Sequence, residues 1–337
     1  MKVFYERDAD LSVLRGKVVA MIGYGNQGRA QALNLRDSGV NVIVGNIEDS
    51  YRQQAIEDAF RPVSIADAAA QGDVIMIVIP DEVQDLVYQS SVAAHLRPGK
   101  AISFASGYNV RFGLVQPPKD VDVIMVAPRT IGRQVRVAFE AGGGVNADVD
   151  VSNDATGNAW PITLALAKGI GCTRAGAFHT SFATETDLDL FSEQALWPAI
   201  FECLLTAYEV LEAQGYPQEA IALELYASAE PADIFLAMAK QGPFQQMSYH
   251  SPTSQYGVLS RRLDATGSNR ELRARMVKSL EAIRSGAFAR EWREERDKGY
   301  PRLAQLRKEA FQHSLNHADE AVRELLTAAG SASSAKE

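Results

Sequence analysis

The sequence predicts an α/β fold, in which an N-terminal Rossmann domain with a doubly wound parallel sheet precedes an all-α C-terminal domain. In the first half of the chain, short and nearly continuous apolar runs alternate with amphipathic segments. Such runs are typical of parallel strands that are covered on both faces, and the alternation is typical of βαβ units. Strand patterns stop near residue 182, and only long helical patterns follow.

Five apolar runs define the predicted strands, and each is short and rich in β-branched residues. They are KVVAMIG (17–23), VNVIVGN (40–46), DVIMIVIP (73–80), KAISFAS (100–106) and VDVIMVAP (121–128). The helical patterns of the second half cover 184–213, 217–240, 269–285 and 301–327. We therefore predict a Rossmann domain at 1–181, a helical domain at 182–327 and a flexible, small and polar tail at 328–337.

Composition narrows the class of protein. The chain has 337 residues and a net charge of −8, which argues against nucleic acids and anionic membranes as partners. Its two cysteines give neither a disulfide framework nor a metal-binding spacing. The opening MKVFYERDADLSVLRGK is charged from its second residue, so we expect no signal peptide. No apolar run approaches membrane-spanning length, and we expect a cytoplasmic protein.

The segment GYGNQG (23–28) follows a predicted strand and opens a predicted helix. The spacing G-x-G-x-x-G allows a tight turn and a close approach of the backbone to a pyrophosphate at a helix N-terminus. Because strand, loop, helix and second strand follow at the expected distances, the pattern favours dinucleotide binding over a structural turn. The candidate cofactor-binding residues here are Gly23, Tyr24, Gly25, Asn26, Gln27 and Gly28.

The segment NIEDSYRQ (46–53), after the second strand, bears on the choice between NADH and NADPH. Glu48 and Asp49 repel a 2′-phosphate and accept a hydrogen bond from a ribose hydroxyl. Ser50 and Arg52, in contrast, are able to donate hydrogen bonds to the 2′-phosphate of NADPH. The sequence therefore allows either cofactor. It slightly favours NADH, because the segment has two acidic residues and one arginine.

Three carboxylates recur every four residues in FATETDLDLFSEQALW (182–197), namely Glu185, Asp189 and Glu193. This spacing stacks them on one helix face, where like charges repel and unpaired burial is costly. A positive partner is required. Spacing alone favours an exposed face that pairs with lysine or arginine over a site for a hard cation.

The chain resembles the ketol-acid reductoisomerases of the shorter class, which act in branched-chain amino-acid synthesis. The similarity runs through GYGNQG, PDEVQ, PPKDVDVIMVAP, TDLDLFSEQ and QYG, and covers nearly the whole chain before the tail. It implies a knotted helical domain, NADH or NADPH and Mg²⁺ as cofactors, and a homodimer or larger homo-oligomer with shared active sites. It also implies cofactor contacts at Asp81, Gln84 and Gly132.

The resemblance assigns Asp189 and Glu193 to Mg²⁺, and Glu185 is then expected to face solvent. Further metal ligands are implied on a second acidic helix, from the partner subunit, where Glu224 and Glu230 are the candidates. Counting forward from GYPQEA places the second ligand position of this helix at Ser228. Counting back from QYG places it two residues later, at Glu230. This predicts an insertion, a helix break near Ser228, and Pro231 in the first turn of a new helix.

The chain departs from the family at several positions. Ser106 stands in place of a histidine, and Arg129 replaces a lysine; Trp197-Pro198-Ala199-Ile200 replaces smaller residues. Ser251 matches a family serine that contacts substrate, but an ordinary loop serine explains it equally well. The candidate catalytic residues are Asp189, Glu193, Arg129 and Ser106.

These departures suggest that the activity differs from that of the family. We expect an NAD(P)H-dependent, Mg-assisted oxidoreductase that reduces a small 2-keto acid or imine, with isomerase activity weakened or lost. One alternative is a genuine ketol-acid reductoisomerase, which converts 2-acetolactate to 2,3-dihydroxyisovalerate. A second alternative is a non-catalytic dinucleotide-binding sensor.

Overall fold

The computed structural model describes residues 1–264 and 269–334. Its contacts divide the chain into two compact units, Met1–Asp189 and Leu190–Glu337. This division follows Asp189, inside a helix, whereas we placed the domain boundary after residue 181. The predicted tail at 328–337 is helical to Ser334, and its last three residues lie outside the described part.

The first unit is built on a sheet that has eight strands within the described residues, in the order β1-β8-β7-β6-β5-β4-β2-β3. All five predicted strands are present and mutually parallel, so the predicted doubly wound core is confirmed. Three unpredicted strands, β1, β7 and β8, make the sheet mixed, because β6–β7 and β1–β8 are antiparallel. The strands are β1 Val3–Phe4, β2 Val18–Ile22, β3 Asn41–Gly45, β4 Val74–Ile77, β5 Ala101–Phe104, β6 Asp122–Pro128, β7 Ala147–Asn153 and β8 Ala177–His179.

Both faces of this sheet are buried, which explains the continuous apolar runs. In β2, Val19 and Met21 enter one core cluster, and Ala20 and Ile22 enter the other. Alternate strand residues point to opposite faces, and burying each large side chain contributes about 1.5–3 kcal/mol. The covering helices are α1 Asn26–Asp37, α2 Ser50–Glu57, α3 Ile65–Gln71, α4 Asp81–Val87, α5 Tyr108–Arg111, α6 Gly132–Glu140 and α7 Ala159–Ile170, followed by α8 Phe182–Phe191.

The second unit is helical, as predicted. Its small core contains Tyr208, Ile221, Ala222, Ala318 and Val322. A π-helical turn at Ser192–Leu196 precedes its first α-helix, and another at Leu223–Ala227 follows its second. The helices are α9 Trp197–Ala213, α10 Gln218–Ala222, α11 Glu230–Gln241, α12 Pro252–Asp264, α13 Arg270–Arg284, α14 Ala287–Asp297, α15 Pro301–Phe311 and α16 Leu315–Ser334. No helix in the described ranges is long and apolar enough to cross a membrane.

The predicted break in the second acidic helix is confirmed. Ser228 ends the π-helical turn, and Ala229 takes a left-handed conformation with φ 66°. Glu230 opens α11, with Pro231 in its first turn. Proline is compatible with that position because the missing N–H has no intrahelical acceptor there. Pro198 likewise lies in the first turn of α9, after the wide turn at Ser192–Leu196.

Candidate active site

A cavity of about 670 Å³ lies at the carboxyl ends of the central strands of the first unit. Its wall includes Gly23 after β2, Asn46 after β3, Ile79 after β4, and Ala105 with Ser106 after β5. The strand order reverses around β2, whose two neighbours are β3 and β4. Ligands of open α/β sheets bind at such a switch point. We call this cavity the cleft.

The glycine loop forms one wall of the cleft, and its glycines serve two different purposes. A Cβ on Gly28 would lie 2.2 Å from the carbonyl oxygen of Gly23, and one on Gly132 would lie 2.0 Å from that of Asn26. A Cβ on Gly25 would meet nothing within 4 Å. Gly28 and Gly132 are therefore required for packing, whereas Gly25 leaves backbone open to a ligand.

Two helix N-termini meet at this loop. The close approach of Gly132 to Asn26 sets the start of α6 beside the start of α1. The amide of Gln27 strengthens this arrangement by donating to the carbonyl oxygen of Thr130 at 2.8 Å. The N-terminus of a helix attracts anions through its exposed N–H groups. The predicted loop residues therefore fit the pyrophosphate of a dinucleotide.

The guanidinium of Arg52 is engaged by groups of its own loop. Its guanidinium donates to the carbonyl oxygens of Asn46 and Val63 at 3.1 Å and of Pro62 at 2.8 Å. Its Nε lies 3.0 Å from the carboxylate of Glu48. In this structure the Arg52 side chain therefore secures the loop, and its role toward a 2′-phosphate stays a prediction. Ser50, the other candidate, is exposed as the first residue of α2.

Asp49 lies in the loop between β3 and α2, on the wall of the cleft. Its Oδ1 caps α2 by accepting from the backbone N–H of Arg52 at 2.9 Å, and it also accepts from the amide of Asn46 at 2.7 Å. Asn46 in turn accepts from the backbone N–H of Tyr24 at 3.0 Å. These bonds join the acidic loop to the glycine loop at the position where adenosine ribose binds in Rossmann domains.

The predicted cofactor residues Asp81 and Gln84 line the wall of the cleft after β4. The Gln84 amide is buried and donates to the carbonyl oxygen of Ile79 at 2.9 Å and to Asp81 at 3.0 Å. Asn109 donates to the carbonyl oxygen of Asp81 at 3.0 Å.

Tyr24 of the glycine loop has a buried side chain, which packs beneath the loop and supports it. Burial, with a hydrogen bond to Asp58, raises the pKa of Tyr24.

Arg129 is the positive partner of the acidic face of α8. One guanidinium nitrogen lies 3.1 Å from Glu185 and another lies 2.6 Å from Asp189. The Nε lies 3.8 Å from Asp148 on β7. Glu185 was expected to face solvent, and this was wrong because the residue is only 2% exposed. We call these four residues the arginine–acid cluster.

Burial governs the ionisation of this cluster. Desolvation raises the pKa of Glu185 to about 7, while the Gly107 N–H and Arg129 act in the opposite direction. Desolvation also raises the pKa of Asp148, partly offset by a hydrogen bond from Thr180. Arg129 is itself desolvated, yet its bond to Asp189 and the surrounding charges raise its pKa, so it stays charged.

A single loop connects the cluster to the cleft. The backbone N–H of Gly107 donates to Glu185 at 2.7 Å, and the preceding residues Ala105 and Ser106 line the cleft. A Cβ on Gly107 would lie 2.4 Å from the carbonyl oxygen of Phe182, so only glycine allows this approach. Sequence reasoning missed Gly107, although a glycine beside the substituted Ser106 was a usable signal.

The remaining predicted residues lie in the second unit. Glu193 and Glu224 are exposed within the two π-helical turns, and Glu230 is exposed at the start of α11. Ser251 accepts from the backbone N–H of Ser254 at 3.2 Å, next to the start of α12. Their roles toward metal and substrate stay predictions.

The cluster as it stands does not fit a magnesium ion. Mg²⁺ takes oxygen ligands in near-octahedral geometry, but Asp189 is bonded to the guanidinium of Arg129 at 2.6 Å. Within residues 1–264 and 269–334, no group of three or more His, Cys, Asp or Glu side chains is arranged to hold a metal. Arg129 is the positive partner of Asp189 in this structure, and the assignment of Asp189 and Glu193 to Mg²⁺ stays a prediction.

Two family models match the chain. An acetohydroxy acid isomeroreductase NADPH-binding domain matches residues 13–176, and a ketol-acid reductoisomerase C-terminal domain matches residues 182–328. The chain belongs to the ketol-acid reductoisomerase family. It is therefore an NAD(P)-dependent oxidoreductase, and the predicted fold class and family are both confirmed.

Individual relatives span nearly the whole chain. The ketol-acid reductoisomerase (NADP(+)) of Methanocaldococcus jannaschii is 40% identical over 96% of this chain and 98% of its own length. That of Pyrobaculum neutrophilum is 41% identical over 96% and 99%. A solved NADH-preferring ketol-acid reductoisomerase from an uncultured archean is 35% identical, with a TM-score of 0.91 over 96% and 99% of the two chains.

These similarities bear on the expected function. The family uses NADPH or NADH together with Mg²⁺. The similarities do not support a divergent member with weakened isomerase activity, and they favour our alternative, a genuine ketol-acid reductoisomerase. Membership of an oxidoreductase family also counts against the non-catalytic sensor.

Proposed function

We propose that the protein is a ketol-acid reductoisomerase that converts 2-acetolactate to 2,3-dihydroxyisovalerate with a nicotinamide dinucleotide. The similarity of about 40% over almost the full length of relatives bearing that name carries the proposal. The cleft adds structural support, because its glycine loop and paired helix N-termini fit the cofactor. The changes at Ser106 and Arg129 then belong to a variant of the family site.

The two ends of the cleft suggest where the cofactor reacts. Asp49 marks the adenosine end, so the nicotinamide end reaches the loop of Ala105 and Ser106. A serine hydroxyl does not act as a base alone, and the role that suits Ser106 is a hydrogen bond to substrate. Arg129 pairs with Glu185 behind the same loop, so its role toward the cleft is to hold the loop in position.

NADH is the cofactor that this cleft favours. Asp49 places a negative charge at the ribose position, and Arg52 is engaged by backbone carbonyls. A 2′-phosphate therefore meets repulsion from Asp49, and the Arg52 donors that would offset this repulsion are already engaged. The relatives from Methanocaldococcus jannaschii and Pyrobaculum neutrophilum are named for NADP(+). The solved structure from an uncultured archean is called NADH-preferring.

Cofactor oxidation by the purified protein tests the function. With Mg²⁺ present, we expect turnover of 2-acetolactate and of its isomerised 3-hydroxy-2-keto product. The value of kcat/KM should be about tenfold higher with NADH than with NADPH, which corresponds to about 1.4 kcal/mol. Reduction of the second substrate without the first would contradict the isomerase assignment, and no turnover of either would contradict both.

The variant Asp49→Ser isolates the cause of the cofactor preference. Serine also caps helices well, so α2 keeps its N-terminal hydrogen bond while the negative charge is lost. The ratio of kcat/KM for NADH to that for NADPH should fall by about tenfold. The variant Glu48→Gln serves as the matched control on the same loop, and it should change the ratio less. Equal effects of both variants would contradict the role of Asp49.

We also propose that a second copy of the chain covers part of the helical unit. Phe201, Leu236, Phe244 and Tyr256 are 58–75% exposed there, and monomers rarely expose many large apolar side chains. Sedimentation velocity should show a dimer or larger assembly, and activity should fall as dilution dissociates it. A monomer with full activity would refute shared active sites.

A further inference from the structure

A second cavity, with a volume of about 710 Å³, adjoins the cleft at the glycine loop, and Gly25 and Asn26 line both cavities. Its lining in the described part of the chain contains twice as many basic as acidic side chains. They are Arg29, Arg36, Arg133 and Arg136, with Asp58 and Glu140. Because the chain as a whole has a net charge of −8, this surface is locally opposite in sign. We call it the arginine cavity.

Three of these arginines are engaged by neighbouring groups. Arg29 donates to both carboxylate oxygens of Asp58, at 2.6 and 2.9 Å. Arg36 donates to the backbone carbonyl oxygen of Asp58. The Nε of Arg136 lies 2.8 Å from the carboxylate of Glu140. These contacts use the donors and offset much of the charge of the three guanidinium groups, so they have little left to offer a ligand.

Arg133 is different, because its guanidinium is not engaged by the protein. It is exposed, and within residues 1–264 and 269–334 its side chain has neither an ion pair nor a hydrogen bond. It follows Gly132 in the first turn of α6. Since a Cβ on Gly132 would lie 2.0 Å from the carbonyl oxygen of Asn26, the start of α6 is fixed against the glycine loop. The side chain of Arg133 therefore begins beside the loop, and it lines the arginine cavity together with Gly25 and Asn26.

A pyrophosphate at the glycine loop requires more positive charge than the backbone supplies. The N-terminus of a helix carries only about half an elementary charge, whereas each phosphate of a pyrophosphate carries a full negative charge. A guanidinium adds a full positive charge and donates two parallel hydrogen bonds to phosphate oxygens. Arg133 has these donors uncommitted, at the loop where the pyrophosphate fits.

We propose that Arg133 binds the pyrophosphate of the dinucleotide from the arginine cavity, while the N–H groups of the glycine loop bind it from the cleft. The inference rests on the proposed function and deepens its cofactor site. NADH and NADPH contain the same pyrophosphate, and they differ only at the ribose, near Asp49. Arg133 therefore strengthens the binding of both and leaves the preference between them unchanged.

Fluorescence titration of the full-length protein with NADH and with NADPH tests this without any need for turnover. Arg133→Met should weaken the binding of both about tenfold, because one charged pair of hydrogen bonds is lost. ADP-ribose, which has the pyrophosphate but no nicotinamide, should lose affinity by the same factor in competition with NADH. Arg133→Lys should lie between native and Arg133→Met, because it keeps the charge without the planar fork. The thermal midpoint should stay native, since Arg133 is exposed.

Arg97→Met is the matched control. Arg97 is also exposed, and it lies before the amino end of β5, whereas the cleft lies at the carboxyl ends of the strands. The variant removes the same charge from the first unit and should leave the affinity for NADH unchanged. A similar loss in Arg97→Met and Arg133→Met would show a general charge effect and would overturn the inference.

Other outcomes separate the inference from the function on which it rests. Native affinity in Arg133→Met overturns the inference. A much larger loss for NADPH than for NADH also overturns it, because Arg133 would then bind the 2′-phosphate. Failure of native protein to use 2-acetolactate overturns the proposed function, whereas an equal loss of NADH, NADPH and ADP-ribose binding would still support the role of Arg133.

Discussion

Replacing Gly28 by alanine is expected to abolish dinucleotide binding and to destabilise the first unit. The added Cβ would lie 2.2 Å from the carbonyl oxygen and 2.9 Å from the carbonyl carbon of Gly23. These are backbone atoms, and Gly23 is itself held by donating to the carbonyl oxygen of Gly45 at 2.9 Å. The clash therefore displaces the loop, at a cost of about 1–3 kcal/mol or more.

Gly25→Ala provides the contrasting variant. Gly25 has φ −71°, which any residue adopts, and a Cβ there meets nothing within 4 Å. The thermal midpoint should stay close to native, but the methyl group should obstruct the approach of the pyrophosphate and weaken NADH binding about tenfold or more. Fluorescence titration with NADH and thermal unfolding measure the two effects. Native-like binding and melting of Gly28→Ala would contradict the packing role.

The parts of the fold that sequence patterns predicted are those set by local residues. The β2 run, the glycine loop and the start of α1 occupy one continuous segment, with glycines at the required spacing. The break before α11 was also readable, because Pro231 excludes a continuous helix. Strand β7 was missed because Asp148, Asp150 and Ser152 interrupt its apolar pattern. Its pairing with β6 depends on residues that are distant in sequence.

The candidate site was predicted as a set of residues, but the partners of its charged side chains were not. Arg52 lay in the right loop, yet its three carbonyl acceptors are a product of the folded chain. Spacing placed Glu185 on the same helix face as Asp189, but it gave no sign that Glu185 is buried against Gly107. Arg129 was read as a substitution for lysine, and its contact with an acid 56 residues away required the structure.

Replacing Arg129 by methionine is expected to lower the free energy of unfolding of the first unit substantially. Glu185 would keep the Gly107 N–H at 2.7 Å but would lose its buried ion pair. Removing one partner of a buried pair costs about 3–5 kcal/mol. Arg129 is about one-third exposed, so solvent screening reduces this, and we expect about 2–3 kcal/mol at pH 9, where Glu185, with a pKa of about 7, is ionised in the native protein. Asp189 contributes less, because water reaches its carboxylate.

The second substitution Glu185→Gln separates charge from packing. Glutamine has nearly the same shape and still accepts from the Gly107 N–H, but it leaves no charge to be stranded in the interior. The double variant should therefore recover most of the stability that Arg129→Met loses, and the cycle should show coupling of about 1–3 kcal/mol. Urea unfolding of the four proteins at pH 9 gives these values, and the coupling should shrink at pH 6, where Glu185 is mostly protonated. If the double variant is no more stable than Arg129→Met alone, the loss comes from missing side-chain packing, and the buried carboxylate is not what makes the arginine necessary.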